Sequence, residues 1–187
     1  MKKIRFDDCI CKTQMVDHKR IKDSLLNLIK TDPHLESINK IDEYFSERVS
    51  KCDMDVCTDL NRSWVKKLIP NLKISIEQLL FSLGYTEYSV IDIWYHQYGE
   101  GDTYGWHYHG CHYAGIYYLE FPKGCGRTEM CSPYSLKPQK IDADEGDVII
   151  FPAHLMHRAL PNGKERKTAI SFNLNLSSPY LNLDLIR

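Results

Sequence analysis

The sequence predicts an α+β protein in which supporting helices precede a jelly-roll β core. Two observations predict it. Apolar residues recur at helical spacing only in the first half of the chain, and from Tyr88 onward short β-type runs follow one another, divided by Gly, Pro and Asn. Helices followed by a series of strands place the helices outside a β core rather than between parallel strands. At 187 residues the chain is long enough for one domain with a sizeable core. Its expected parts are mainly helical support over 1–87, the jelly-roll core over 88–176 and a tail over 177–187.

Lys3 to Met15 reads as one or two edge strands with Ile4, Phe6, Ile10 and Met15 as apolar positions. Asp17 stands where a helix N-cap belongs, ahead of Ile21, Leu25, Leu28 and Ile29 on one stripe, and Pro33 ends that helix. Residues 35–55 are mixed and charged and read as irregular, with room for a short helix. A second helix is expected from Thr58 or Asp59, with Leu60, Trp64 and Leu68 on one side, stopping before Pro70. A third is expected from Asn71, burying Leu72, Ile76, Leu79, Leu80 and Leu83 and closing at Gly84 as a C′ residue. The strands expected afterwards are 89–98, 114–121, 127–131, 139–143, 147–151 and 167–176. Glu145-Gly146-Asp147 and Pro161-Asn162-Gly163 read as turns. Two sheets that enclose a tapered mouth are the architecture this spacing favours.

A net charge of −1 provides no general attraction to nucleic acid or to an anionic membrane, so nucleic acid is an unlikely partner. No apolar run approaches a membrane span and the start lacks a signal-peptide core, which leads us to expect a cytoplasmic protein. Seven cysteines at spacings unlike zinc knuckles, and odd in number, read as reduced thiols. Cys111 is of interest because it follows a histidine pair.

That pair is His107 and His109. One residue apart on an extended segment, they point to the same side, and a histidine from a neighbouring strand, His157, would complete three ligands on one face of a metal. Such a site keeps positions open for a co-substrate and oxygen. Tyr104 and Trp106 flank the pair and are candidate substrate contacts. Trp94, Tyr117 and Tyr118 read as core or pocket-wall aromatics, whereas His96 and His18 read as no more than packing or surface residues.

Six blocks stand in order: Ile93-Trp94, Tyr98-Gly-Glu-Gly101, His107-x-His109, Gly115-Ile-Tyr-Tyr-Leu119, Glu145 to Pro152, and His157 followed by Arg166 to Asn173. Together they resemble the 2-oxoglutarate/Fe(II)-dependent oxygenases related to prolyl 4-hydroxylases, and most closely the oxygenases carried by tailed phages of marine cyanobacteria. The resemblance covers 88–176 well and the N-terminal part loosely. It implies a double-stranded β-helix that binds Fe(II) and 2-oxoglutarate, uses O2, and hydroxylates a peptidyl, prolyl or small-molecule substrate. It places His107 and His157 on metal-ligand positions. Lys167, ten residues after His157, and Tyr98, nine before His107, fall where the family holds the far carboxylate of 2-oxoglutarate. Asn173, six after Lys167, falls where the family often closes the site. Arg166 should point away from it by strand alternation.

His109 departs from the family, which has a carboxylate there. Either it is the third ligand, or Asp102 or His112 is; His154 competes with His157 for the distal position. Two other classes remain open at this point: a three-histidine cupin-like metalloenzyme without 2-oxoglutarate, and a non-enzymatic β-domain that binds a partner.

Overall fold

The computed structural model describes residues 8–32, 48–134 and 136–177. The beginning of the expected N-terminal strand, Pro33, much of the irregular stretch and nearly all of the tail lie outside them. The elements are β1 (Cys11–Gln14), α1 (His18–Lys30), β2 (Lys51–Cys52), a 3-10 turn (Met54–Val56), α2 (Ser63–Ser82), β3 (Tyr88–Tyr98), β4 (Tyr104–His107), β5 (Tyr113–Glu120), β6 (Thr128–Cys131), β7 (Gln139–Lys140), β8 (Asp147–Pro152), β9 (Met156–Ala159) and β10 (Lys167–Leu176). They form a large sheet in the order β1-β8-β5-β10-β3-β2 and a small one in the order β4-β9-β6-β7. Every pairing of named strands is antiparallel. The fold is the double-stranded β-helix that the sequence predicts, with helices packed against the large sheet.

Alternation along the strands divides the interior in two. Ile93 and Tyr95 of β3, Tyr117 and Leu119 of β5, Val148 and Ile150 of β8, and Ile170, Phe172 and Leu174 of β10 pack with α1 and α2. The residues between them, such as Trp94, Tyr98, Ile116, Tyr118, Ile149, Phe151 and Ala169, face the small sheet. This is period-2 geometry: each strand of the large sheet has one face under the helices and the other in the mouth of the jelly roll.

One helix, not two, occupies the stretch around Pro70. The α2 helix runs unbroken through the proline and buries Trp64, Val65, Leu68, Leu72, Ile76, Leu79 and Leu80. An interior proline costs about 3 kcal/mol, but burying a large aliphatic side chain contributes roughly 1.5–3 kcal/mol. Both halves of the helix lay their apolar stripe on the same sheet face, so tertiary packing outweighs the local break. The helix begins at Ser63, which leaves the expected contact residue Leu60 exposed. Its end matches expectation: Gly84 takes a φ of 82°, and the Gly84 and Tyr85 N–H groups donate to Phe81 and Leu80 carbonyls.

Asp17 precedes α1 as expected but does not cap it with its side chain. Its backbone is left-handed (φ 58°), and its carboxylate accepts from Arg20 at 2.6 Å. Strand β2 falls inside the stretch read as irregular. Two residues carry no periodicity, and only the pairing of Lys51 with Gln97 and Cys52 with His96 defines it.

Gly115 of β5 lies opposite Phe172 of β10, and a Cβ there would meet ring carbons of Phe172 at 2.1 and 2.2 Å. Gly115→Ala is expected to destabilise the protein by about 1–3 kcal/mol, as overpacking of a filled core does. Thermal unfolding would register this as a midpoint lowered by roughly 2–4 °C per kcal/mol.

Candidate functional site

A cavity of about 220 Å³ opens between the two sheets, with one end at a histidine cluster and the other at Lys167. The cluster is built by strand pairing. His107 of β4 lies directly opposite His157 of β9, and the same ladder pairs Tyr104 with Ala159. Gly105 and Trp106 of β4 thus stand opposite Arg158 alone on β9, which is a β-bulge. The bulge lets Tyr104 and His107, which strict alternation would separate, both line the cavity. Two residues beyond the strand, the His109 N–H donates to the Ala153 carbonyl at 3.0 Å, and its ring stacks on Trp94.

Candidate ligand atoms of His107, His109 and His157 all lie within 4.8 Å of one another, a grouping that can hold a metal ion. The His107 and His157 rings are 4.1 Å apart, and Nε2 of His109 is 3.2 Å from Nε2 of His157. In both His107 and His157, Nδ1 bonds the carbonyl two residues back, Gly105 at 2.9 Å and Leu155 at 3.0 Å. A carbonyl can only accept, so each Nδ1 carries the proton and each Nε2 keeps a lone pair. Burial, reinforced by mutual repulsion, lowers His109 to about 4 and His157 to about 3, and burial lowers His107 as well. All three imidazoles are therefore neutral donors near pH 7, which is the form a metal needs. The donor set fits a borderline divalent metal such as iron.

The other candidate ligands are engaged elsewhere. Asp102 accepts from the Gly99 N–H at 2.8 Å and pairs with Arg48, closing the turn after β3. Nδ1 of His112 accepts from the Leu176 N–H, and His154 sits half-exposed beside Asp8 at 3.0 Å. Cys111 points its thiol at the Tyr113 carbonyl, and all described cysteines are free thiols.

At the inner end, Lys167 is only 2% exposed. Its Nζ donates to the Gly126 carbonyl at 2.8 Å and lies 4.1 Å from the centre of the Tyr98 ring, its direct partner across β10 and β3. Burial lowers the ammonium to about 8 and pushes the Tyr98 phenol up, so near pH 7 the pair offers a cation and a neutral hydroxyl. Arg166 points outward and forms a two-pronged pair with Glu120. Asn162, which sequence reading assigned only to a turn, ties this end together. Its amide donates to the Tyr98 carbonyl and accepts from the Gly126 N–H, so one side chain fixes both segments around Lys167.

Asn173 lines the opposite end, where it bonds Asp92. Trp106 is not among the lining residues; its ring lies under the Arg158 guanidinium, and Arg158 does line the cavity. His96 is the residue most clearly missed. It is buried in the cavity wall between Tyr98 and Tyr104, and burial lowers it to about 3. The signal was available, since His96 shares a strand face with Trp94 and Tyr98.

A jelly roll with three neutral imidazoles at its mouth has the donor set for a metal ion. Residues 92–173 match the family model described as "Putative 2OG-Fe(II) oxygenase". The matched stretch takes in Tyr98, the three histidines and Lys167, and it supports an oxygenase that uses Fe(II) and 2-oxoglutarate as cofactors. No curated protein matches the chain in sequence. Among solved structures, a viral collagen prolyl hydroxylase from Paramecium Bursaria Chlorella virus-1, in complex with 2OG, is 18% identical with a TM-score of 0.60, over 88% of this chain and 94% of that one. A Trichoplax adhaerens prolyl hydroxylase bound to a hypoxia inducible factor peptide fragment is 15% identical with a TM-score of 0.64, over 95% and 85%. The alpha ketoglutarate dependent epimerase SnoN from nogalamycin biosynthesis is 12% identical with a TM-score of 0.66, over 89% and 77%. These likenesses establish the shared fold.

Proposed function

We propose that the protein hydroxylates a C–H bond of a peptidyl substrate, prolyl in the first instance, or of a small molecule, and that His107, His109 and His157 hold its iron. The observation that carries the reading is a buried ammonium, Lys167, at the far end of a cavity whose mouth holds three neutral imidazoles. When bound, Fe(II) and 2-oxoglutarate supply the oxidising chemistry that, with O2, converts substrate C–H to C–OH and yields succinate and CO2. The chain's residues place the reactants. Lys167 and the Tyr98 hydroxyl take the far carboxylate of 2-oxoglutarate, and Asn162 holds both in register. Asn173 sits about 20 Å along the strand from Lys167 at about 3.3 Å per residue, so it serves the metal end. Tyr104 contacts substrate inside the cavity, and Trp106, stacked on Arg158, forms the rim.

Peptide and prolyl chemistry is supported by the neighbours that are prolyl hydroxylases, one of them with a bound peptide. The proposal includes one domain over 1–187, with 1–87 as support, 88–176 as catalytic core and 177–187 as tail. Its resemblance to cyanophage oxygenases rests on the sequence blocks alone. Free cysteines fit a cytoplasmic setting, and among the described residues no helix is long and apolar enough to cross a membrane. The test is succinate formation from 2-oxoglutarate with Fe(II) and O2 across a panel of proline-containing peptides, amino acids and small metabolites. Coupled turnover with a peptide and a mass gain of one oxygen on it are expected. Turnover of small metabolites only would reject the peptidyl reading.

The state of Lys167 provides a second check. Its ammonium form persists below about pH 8 in the free protein and is lost above it. Affinity for 2-oxoglutarate should therefore be flat below pH 8 and fall as pH rises, approaching tenfold per unit. Lys167→Arg, which stays charged, should bind more weakly but lose this slope. Anaerobic titration of the Fe(II) protein at several pH values measures both.

A further inference from the structure

His109 differs from the other two histidines of the cluster in how its ring is held. His107 and His157 each have a backbone carbonyl that fixes the Nδ1 proton. At the same end of the cavity as His109 stands Asn173, whose Oδ1 is one of three buried side-chain polar atoms without a hydrogen-bond partner among the described residues. The orientation of that amide is not free. Its Nδ2 donates to Asp92 Oδ2 at 2.9 Å, and because a carboxylate can only accept, the oxygen must face the other way. Asp92 and Asn173 are direct partners across β3 and β10, and a register shift follows immediately after Asn173, a position where bulges commonly re-aim a side chain. The Cys57 thiol donates to the second Asp92 oxygen at 3.7 Å, so the carboxylate is held from both sides.

We propose that Asp92 and Asn173 are positioning residues for His109: the Asn173 oxygen accepts the His109 Nδ1 proton, and Asp92 fixes the amide that does so. The Nε2 lone pair of His109 then faces the same point as those of His107 and His157. His109, Asn173 and Asp92 line the same cavity, so the unpartnered amide oxygen and the carboxylate behind it share that space with the imidazole. The arrangement also answers the departure from the family pattern. The carboxylate that most of the family has at the position of His109 is here one step removed, and it polarises the imidazole through an amide instead of binding the metal itself. This inference rests on His109 being a metal ligand.

The test measures apo and metal-bound protein without turnover. In the metal-free protein the His157 Nε2 lone pair, 3.2 Å from His109 Nε2, favours the other tautomer; nitrogen-15 NMR of the histidine rings should nevertheless find the His109 proton on Nδ1, and Asn173→Leu should release it towards Nε2. Anaerobic Co(II) titration should find affinity lowered about 10–100-fold in Asn173→Leu, the range expected for loss of an outer hydrogen-bond partner. The double exchange Asp92→Asn with Asn173→Asp keeps one amide and one carboxylate in contact and should recover most of the loss. Asp92→Asn alone, the mildest change, should loosen the tautomer preference even if Asn173→Leu fails to fold. A folded Asn173→Leu protein with parental Co(II) affinity and an unchanged His109 tautomer overturns the proposal. If His109→Ala itself keeps parental affinity, the ligand assignment fails instead, so the two failures are distinct.

Discussion

His107→Ala and His157→Ala are each expected to abolish Fe(II)-dependent turnover and to leave the folded protein intact. Each removes one nitrogen from a set of three that stands within 4.8 Å, and no other His, Cys, Asp or Glu among the described residues joins that grouping. Loss of a ligand should lower metal affinity by more than the about 10–100-fold that an outer hydrogen-bond partner contributes. The fold should survive because His157 is buried and His107 half-buried as neutral groups, so their removal leaves no charge without a partner. Anaerobic metal titration and thermal unfolding of the metal-free variants separate the two effects. Retained turnover in either variant rejects the ligand set. His109→Asp is the graded case: it restores the donor most of the family uses, and it should keep Fe(II) and support at least partial 2-oxoglutarate decarboxylation. Parental behaviour of His109→Ala would place the third donor elsewhere.

Sequence periodicity made some of this geometry legible and not the rest, for identifiable reasons. Alternation along β10 separates Lys167 from Arg166, and the structure places the first in the cavity and the second on Glu120 outside. That inference needs only local backbone geometry. The unbroken α2 helix was hidden because the rule at Pro70 is local, while the burial that overrides it comes from a sheet distant in sequence. The bulge in β4 was hidden as well, since only pairing with β9 reveals that two residues oppose one. His96 and Asn162 illustrate a third case. Their residue types alone do not mark them: strand alternation puts His96 on the face of Trp94 and Tyr98, whereas the role of Asn162 comes only from which strand ends the fold brings together.

Lys167→Ala is expected to weaken 2-oxoglutarate binding by about thirtyfold or more while Fe(II) binding changes little. The lysine is almost fully buried, held by the Gly126 carbonyl and the face of Tyr98, and burial already depresses its ammonium to about 8. An arriving carboxylate would supply the opposite charge that this cation lacks. Truncating one partner of such a buried pair costs about 2–5 kcal/mol, much of it because the other charge is left unpaired. At about 1.4 kcal/mol per factor of ten, the lower bound corresponds to roughly thirtyfold in affinity. Iron should be indifferent, because Lys167 lies at the opposite end of the cavity from the histidines. Lys167→Arg should fall between the two, since a longer planar fork must enter a space shaped around a compact ammonium. Arg166→Ala is the control. Its guanidinium pairs with Glu120 on the outer surface, a contact worth little, so co-substrate affinity should stay within about twofold of the parent. Anaerobic titration of 2-oxoglutarate into the Fe(II) proteins, followed by the visible band that needs both, ranks all four. If the Arg166 variant loses the co-substrate and the Lys167 variant keeps it, the facing of β10 is the reverse of that described, and the carboxylate site must be sought outside the cavity.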